Sequence, residues 1–490
     1  MNKILFENFI GPKSENIDYL KELINRVLDF QKEWRNSFYP DDPSLYPEDH
    51  TYNLKLEQEL SAFLERSKKS FPYFHPRYVA QMVKDPSLPT VLGYLSFMLS
   101  NPNNHAYEGG PVTTEMEMEV MDLLLKFVGF GTGWGHITSG GSLANMEALW
   151  AARDYYPDGT VYFSEVSHYS WKRICSILRI NKYSEIPVDN SFRMDLNFLE
   201  EKLKQTPAMF VMANLGSTGA GSVDDIESII KLKEQYNFHL HIDAAYGGFL
   251  RAAIMDDQYT LIPYSADLHL SEYTYRQLNV MKYADSITID PHKQGAISYG
   301  AGAVLYKNEE LKQVVLNTAP YTYHKLDKPN IGMFSLEGSR PGAMAAACYL
   351  TYKVMPPNNT GIGLLVNNSL AASKKFYKLI EASSKLKNLN FPDLDINCIY
   401  SFSDKKTIKD VNKNTLKIYN KLSVESENPE FILSKFVTSS EIAAKVLPAY
   451  SNERSENLSC LRFVFMKHWP ALNNFYYIKE LVKALEAAAE

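Results

Sequence analysis

"ADSITIDPHKQGAISYGAGAVLYKN", residues 284–308, is the stretch on which the fold turns. The β-branched run Ile287–Ile289 reads as a buried strand that ends in Asp290, Pro291, His292 and Lys293, with a glycine-rich second strand after it. A strand tip is a rigid support, and lysine is among the residues least often found inside a protein. Lys293, next to a histidine, is therefore either an accident of a turn or a nucleophile held in position.

Working outward, apolar strands alternate with amphipathic helices. "WGHITS" (134–139) leads into "SLANMEALWAARDYY" (142–156), and "GTVYFSE" (159–165) follows. "PAMFVMANLG" (207–216) leads into "VDDIESIIKLKEQYN" (223–237), and "FHLHIDAAYGG" (238–248) precedes the opening stretch. This alternation predicts an α/β domain with a mainly parallel sheet covered on both faces. Residues 14–36 and 52–68 have helical apolar spacing, as in "YLKELINRVLDFQKEW", before the proline-marked "FPYFHPRYV". Past "MPPNNTGIG" (355–363) a helix is expected from about Leu364, then weaker strands such as "NCIYSFS" and "SCLRFVFM". The predicted organisation is a helical segment over 1–90, a large domain over 91–355 and a small α+β domain over 356–490.

At 490 residues and 45% hydrophobic composition the chain can build large cores. Its net charge of −6, without long basic or acidic runs, provides no footprint for nucleic acid and no polybasic membrane patch. A small-molecule substrate is the expectation. The four cysteines, Cys175, Cys348, Cys398 and Cys460, are far apart with no CxxC pair, which indicates neither zinc nor a disulfide framework. The N-terminus turns polar too soon for a signal peptide, and no apolar run reaches the roughly 20 residues that span a bilayer. A cytoplasmic protein is expected.

Three further motifs carry chemistry. In "TSGGSLAN" (138–145) a strand ends and a helix opens, with Ser142 placed as the helix cap. Gly140 and Gly141 let backbone approach a ligand, and the free N–H groups with the helix dipole form an anion site suited to phosphate. The other reading is a glycine-rich cap that merely starts a helix. In "HIDAAYGG" (241–248) Asp243 ends an apolar strand, where a lone carboxylate is costly. It either caps a turn or has a cationic partner such as a protonated pyridine nitrogen, with Ala244 and Ala245 leaving room for a flat ring. "EVSHYSWKR" (165–173) supplies His168, a structural histidine or a ring-stacking one. Ser142, His168, Asp243 and Lys293 would all emerge at the carboxyl edge of one parallel sheet, where such folds bind ligands.

On these motifs, together with "SLEGSRPGAMAA" (335–346) and "LRFVFM" (461–466), the chain resembles the group II pyridoxal-phosphate-dependent amino-acid decarboxylases. Within that family it is similar in particular to the bacterial tyrosine decarboxylases. The resemblance covers nearly the whole chain and implies a fold type I, aspartate aminotransferase-like large domain. It implies pyridoxal 5'-phosphate as cofactor and an amino-acid substrate that loses CO₂. In the family the lysine after "DPH", here Lys293, holds the cofactor covalently. Asp243 would pair with the pyridinium nitrogen, His168 would stack on the ring, and Gly141 and Ser142 would hold the phosphate. Thr218, Ala245 and His292 would contact the cofactor, and Arg462 would take the substrate carboxylate. The loop "NTAPYTYHKLDKPNI" (317–331) would carry the proton donor, Tyr321 by ungapped counting, with Tyr323 as its rival. In this family the loop enters the partner subunit's site and the "EGSRPG" serine, here Ser339, reaches the partner's cofactor phosphate. The resemblance thus implies a homodimer with shared sites, the helical N-terminal segment forming part of the contact.

The substrate pocket departs from the tyrosine enzymes. Their histidine in the segment aligned with "RYVAQMVKDPSLP" is Gln81 here, a tyrosine three residues past the lysine is Ala296, and Tyr299 is retained. A glutamine resembles the glutamate and cysteine-sulfinate enzymes, whose amide can donate to a distal acid. His105 and the aromatic Phe74, Tyr78 and Tyr107 suit a flat side chain instead. An aromatic amino acid such as tyrosine is the expected substrate, with aspartate or glutamate as the alternative. An aldehyde synthase of the same fold lacks the loop tyrosine, an aminotransferase would release a keto acid, and a non-enzymatic relative would have a broken Asp243, His168 and Lys293 set.

Overall fold

The apolar runs pair into one sheet. The computed structural model describes residues 3–46, 53–156, 159–318, 327–451 and 455–490. Strands β1 (Trp134–Thr138), β2 (Thr160–Ser164), β3 (Tyr183–Ile186), β4 (Ala208–Asn214), β5 (His239–Ala244), β6 (Ser286–Ile289) and β7 (Gly302–Tyr306) lie in the order β1-β7-β6-β5-β4-β2-β3. The five from β2 to β6 are parallel, and β7 runs against both its neighbours, β1 and β6. All residues of β4, β5 and β6 are buried, as in a sheet with helices on both faces. Only β3, at an edge, exposes side chains. The fold is the α/β class with a mainly parallel sheet that the alternation predicts.

Helix starts follow from local side-chain chemistry. Asp195, Asp225 and Ser271 each accept a backbone N–H of the first turn and so begin the helices Leu196–Gln205, Ile226–Tyr236 and Glu272–Val280. The helix after β1 corrects one expectation: it runs Gly141–Tyr155, so Gly140, and not Ser142, is its cap residue. Gly141 has no side chain to meet Ala245 and Asp290, and the helix begins there, a residue before the serine, which then lies in the first turn.

A second, antiparallel sheet contains β8 (Leu386–Asn388), β9 (Ile396–Ser401), β10 (Ser434–Thr438) and β11 (Leu458–Val464) in the order β10-β11-β9-β8. Helices Ile362–Glu381 and Leu472–Ala488 cover it through Phe376, Phe463, Phe465 and Leu485. Residues 77–79 are stitched to this sheet: Val79 N–H donates to the Ile432 carbonyl at 2.9 Å, and Val464 N–H donates to the Val79 carbonyl at 2.9 Å. Of the N-terminal helices, Leu54–Ser67 buries none of its residues, and Ile17–Asn36 leaves Phe30 and Trp34 exposed. No helix of the described residues is long and apolar enough to cross a membrane.

The two sheets are tied by a partly buried ion pair. Arg193 reaches Asp393 with Nη2 at 2.5 Å and Nε at 3.2 Å, and its guanidinium lies 3.6 Å from the Tyr273 ring centroid. Asp393 also accepts the Val223 N–H at 3.0 Å. Its side chain is 2% exposed while that of Arg193 is 24% exposed, so removing the arginine strands a buried carboxylate. Arg193→Ala is expected to lower stability by about 3 kcal/mol, read as a fall in the urea midpoint.

Candidate active site

The carboxyl ends of the parallel strands meet in a cavity of about 560 Å³. Ser142 enters it from the helix after β1, His168 from beyond β2, and Thr218 from beyond β4. Asp243 and Ala245 come from the end of β5, and His292 and Lys293 from the turn after β6. Gly141 and Tyr299 complete the set of sequence-selected residues lining it.

Asp243 is held from the protein side. Asn145 Nδ2 donates to its Oδ2 at 2.8 Å and Trp171 Nε1 donates to the same oxygen at 3.1 Å, while Ala245 N–H donates to Oδ1 at 3.2 Å. Oδ1 keeps lone-pair capacity toward the cleft. Neither Asn145 nor Trp171 is singled out by sequence reasoning. The signal for Asn145 is that it follows Gly141 by one helical turn, and for Trp171 that it follows His168 by three residues in the Ser170–Ile177 helix.

The two histidines are neutral donors. His168 Nδ1 faces the Ser170 hydroxyl at 2.7 Å and the Ser170 N–H at 3.3 Å, which puts its proton on Nε2. Burial lowers its pKa, against the pull of Asp243. An uncharged imidazole of this kind can lie against a flat ring. His292 Nδ1 accepts the Ala301 N–H at 3.2 Å, and its Nε2 is 3.4 Å from Asp290 Oδ2. Burial lowers its pKa as well, with Asp290 opposing.

Lys293 Nζ lies 3.0 Å from Asp290 Oδ2. Burial disfavours its charge, but the carboxylates of Asp290 and Asp243 outweigh that and raise its pKa above the ordinary value. Asp290, at the end of the β6 run, lines the same cavity, and its Oδ1 is buried without a hydrogen-bond partner among the described residues. At Gly141 a Cβ would come within 3.0 Å of the Ala245 Cβ and 2.9 Å of Asp290 Oδ2. The helix start can border the cleft only because that side chain is missing.

Apart from Tyr299, the other selected residues that the structure describes do not line this cavity. Arg462 on β11 is buried and donates from Nε to the Gly219 carbonyl at 3.1 Å, and from Nη1 to the Ala80 carbonyl at 3.1 Å and the Ser434 hydroxyl at 3.3 Å. Gly219 is the neighbour of cleft-lining Thr218. Tyr299 donates to the Met82 carbonyl at 2.5 Å and packs 4.6 Å from the His292 ring. Gln81 is exposed, but its neighbours Ala80 and Met82 are thus bound by Arg462 and Tyr299. Phe74 is exposed. His105 Nδ1 is 2.9 Å from the Gly338 carbonyl, and Ser339 Oγ accepts from Asn103 Nδ2 at 3.3 Å. Tyr78 is buried against Tyr73, and Tyr107 donates its hydroxyl to Glu115. Tyr321 and Tyr323 lie outside the described residues.

A helix N-terminus for an anion, a carboxylate open on one oxygen, a neutral imidazole and an amine all face one cavity. These groups fit a flat, phosphorylated pyridine that carries an aldehyde. The "Pyridoxal-dependent decarboxylase conserved domain" matches residues 71–398. An L-tyrosine decarboxylase of Enterococcus faecium is 28% identical over 98% of this chain and 97% of its own length, and one of Levilactobacillus brevis is 31% identical over 78% and 75%. An aspartate 1-decarboxylase of Aliivibrio fischeri is 29% identical over 78% of this chain and 73% of its own length. Among solved structures, Oryza sativa TDC with PLP and tryptamine superposes with a TM-score of 0.73 at 15% identity, over 97% of this chain and 98% of that one, which is agreement in fold. The chain belongs to the pyridoxal-dependent decarboxylase family and is a carboxy-lyase that uses pyridoxal phosphate.

Proposed function

We propose that the protein decarboxylates an aromatic L-amino acid, tyrosine first, to its amine. The observation that carries the reaction is the convergence of Lys293, Asp243 and His168 on one cavity; similarity to L-tyrosine decarboxylases along almost the whole chain carries the substrate. When bound, pyridoxal phosphate supplies the electron sink for the charge left at Cα as CO₂ departs. Asp243 would keep the ring nitrogen protonated, and His168 would stack on the ring. Gly141 and Ser142 at the helix start would hold the phosphate, Thr218 and His292 would contact the cofactor, and Ala245 would leave room for the ring. Lys293 would hold the cofactor covalently through its amine.

Arg462 takes the α-carboxylate. Its bonds go to two carbonyls and a hydroxyl, so its charge has no ion-pair partner among the described residues. Orientation by a guanidinium selects which Cα bond breaks. Tyr321, with Tyr323 as the rival, returns a proton to Cα. Gln81, His105, Tyr299 and Phe74 border the substrate side chain.

The working unit is a homodimer. Support comes from exposed Leu28, Phe30 and Trp34 on one N-terminal helix and Leu60, Phe63 and Leu64 on the other, an apolar surface that water does not favour. In the dimer Ser339 serves the partner's phosphate. The N-terminal segment, large domain and small domain divide near residues 90 and 355, and the dimer works in the cytoplasm.

An acidic amino acid is the second reading, because the Gln81 amide can donate to a distal carboxylate. Amines and CO₂ measured from tyrosine, dihydroxyphenylalanine, tryptophan, aspartate and glutamate decide between them. Tyrosine is expected to be turned over, and Gln81→His is expected to leave that activity within about threefold. Turnover of aspartate or glutamate alone, abolished by Gln81→His, would replace tyrosine with the acid.

A further inference from the structure

Behind Asp243, starting from cavity-lining Asn145, runs a file of polar side chains that the reaction as described does not use. His239, His241 and Asp243 alternate along β5 and so share one face of the sheet. In the parallel register His241 is opposite Ser286 of β6, and Asp243 is opposite Thr288. His239 Nε2 is 2.7 Å from Ser286 Oγ, Ser286 Oγ is 2.8 Å from His241 Nδ1, and His241 Nε2 is 3.0 Å from Asn145 Oδ1. Asn145 then donates to Asp243. All four intervening side chains are at most 2% exposed, and Phe210 stacks on both imidazoles.

The direction of every bond follows from Asp243 being an anion. Asn145 must turn its NH₂ to the carboxylate, since its oxygen there would face a negative charge. Its Oδ1 then accepts from His241, which places that imidazole's proton on Nε2 and leaves Nδ1 as an acceptor. Ser286 has one hydrogen and gives it to His241, so Ser286 Oγ must accept from His239 Nε2–H. Thr288 Oγ1, 3.3 Å from His241 Nε2, is a side partner. Beyond His239 stands the Lys233–Asp285 pair at 2.6 Å. Burial holds both imidazoles neutral, His239 at about 4 and His241 well below its ordinary value, so His241 has the single N–H that this file requires.

We propose that Asn145, His241 and Ser286 are positioning residues which, by donating in one direction toward Asp243, keep its carboxylate ionised and aimed so that the cofactor ring nitrogen stays protonated. This rests on the reading that Asp243 meets that nitrogen. If His241 loses its N–H, the Asn145 oxygen is left unpaired in a dry site and the amide is no longer held in the orientation that donates to Asp243.

Pyridoxal phosphate labelled with ¹⁵N in the ring is the probe, bound to the whole protein at neutral pH. Wild type is expected to show the protonated ring signal. His241→Phe and Asn145→Leu should move it toward the unprotonated position and weaken cofactor binding about tenfold by equilibrium dialysis. His241→Gln, whose amide can donate where Nε2 did, should stay near wild type in both. Ser286→Ala removes one oxygen and should show the same shift at smaller size, which keeps the test open if His241→Phe does not fold. Wild-type signals and affinity in folded Asn145→Leu and Ser286→Ala overturn the relay. Asp243→Asn separates the two ideas: if it too leaves the ring signal unchanged, the reading of Asp243 has failed, and if it alone shifts the signal, only the relay has.

Discussion

Asp243→Asn is expected to fold like wild type and to release CO₂ at least about a thousand-fold more slowly, a rise of roughly 4 kcal/mol in the barrier. The native carboxylate offers Oδ2 to Asn145 and Trp171 and Oδ1 to Ala245 and the cleft. An asparagine has a single acceptor oxygen. Keeping the two side-chain donors paired turns that oxygen toward Asn145 and Trp171, which aims an NH₂ donor at the ring nitrogen. Two donors then oppose each other, the ring proton leaves, and the electron sink weakens. Trapping labelled CO₂ from substrate measures the effect. A folded asparagine variant with near-normal release would mean that the nitrogen has a different partner.

Lys293→Ala is expected to abolish turnover and to lose the visible absorbance of bound cofactor on dialysis, whereas wild type keeps it. A second effect follows from the neighbourhood. Lys293 Nζ is 3.0 Å from Asp290 Oδ2, and Asp290 Oδ1 is already without a hydrogen-bond partner among the described residues. Alanine leaves a buried carboxylate facing only neutral His292, so the cofactor-free variant should also unfold several degrees below cofactor-free wild type. An alanine variant that retains covalent cofactor through dialysis removes Lys293 from this role.

What the sequence made legible was whatever local pattern encodes. β4 is a nearly continuous apolar run, and β5 and β6 are buried throughout although one face of each is polar, because both sheet faces are covered; residues at the strand ends inherit a fixed direction, so Asp243 and Lys293 stand out. The edge strand β3, "YSEI", is four residues long and partly exposed, and nothing in its composition separates it from a loop. The eight-residue helix that carries Trp171 was equally quiet, since it buries only Ser170, Trp171, Ile174 and Cys175. Ser142 illustrates another limit: a capping serine and a glycine pair compete for the same helix start, and which of them begins it depends on Ala245 and Asp290, which leave no room for a side chain at Gly141. Arg462, Gln81, His105, Phe74 and Ser339 belong to segments whose distance from the cleft is set by packing between elements hundreds of residues apart. The resemblance to the decarboxylases, and no local spacing, selected them.

The position of β7 has a consequence for how the site comes into being. β1 touches the sheet only through β7, and Thr138 pairs with Gly302, 164 residues further along the chain. At about 5–20 residues per second, a ribosome needs roughly 10–30 s between making the first and the second. During that interval the glycine-rich start of the Gly141 helix has no strand beneath it, while β2, β4 and β5 can already pair. The Gly141 end of the cleft is therefore the last part to close, and the growing chain has no complete cavity to offer a cofactor until the hairpin partner of Lys293's strand has left the exit tunnel.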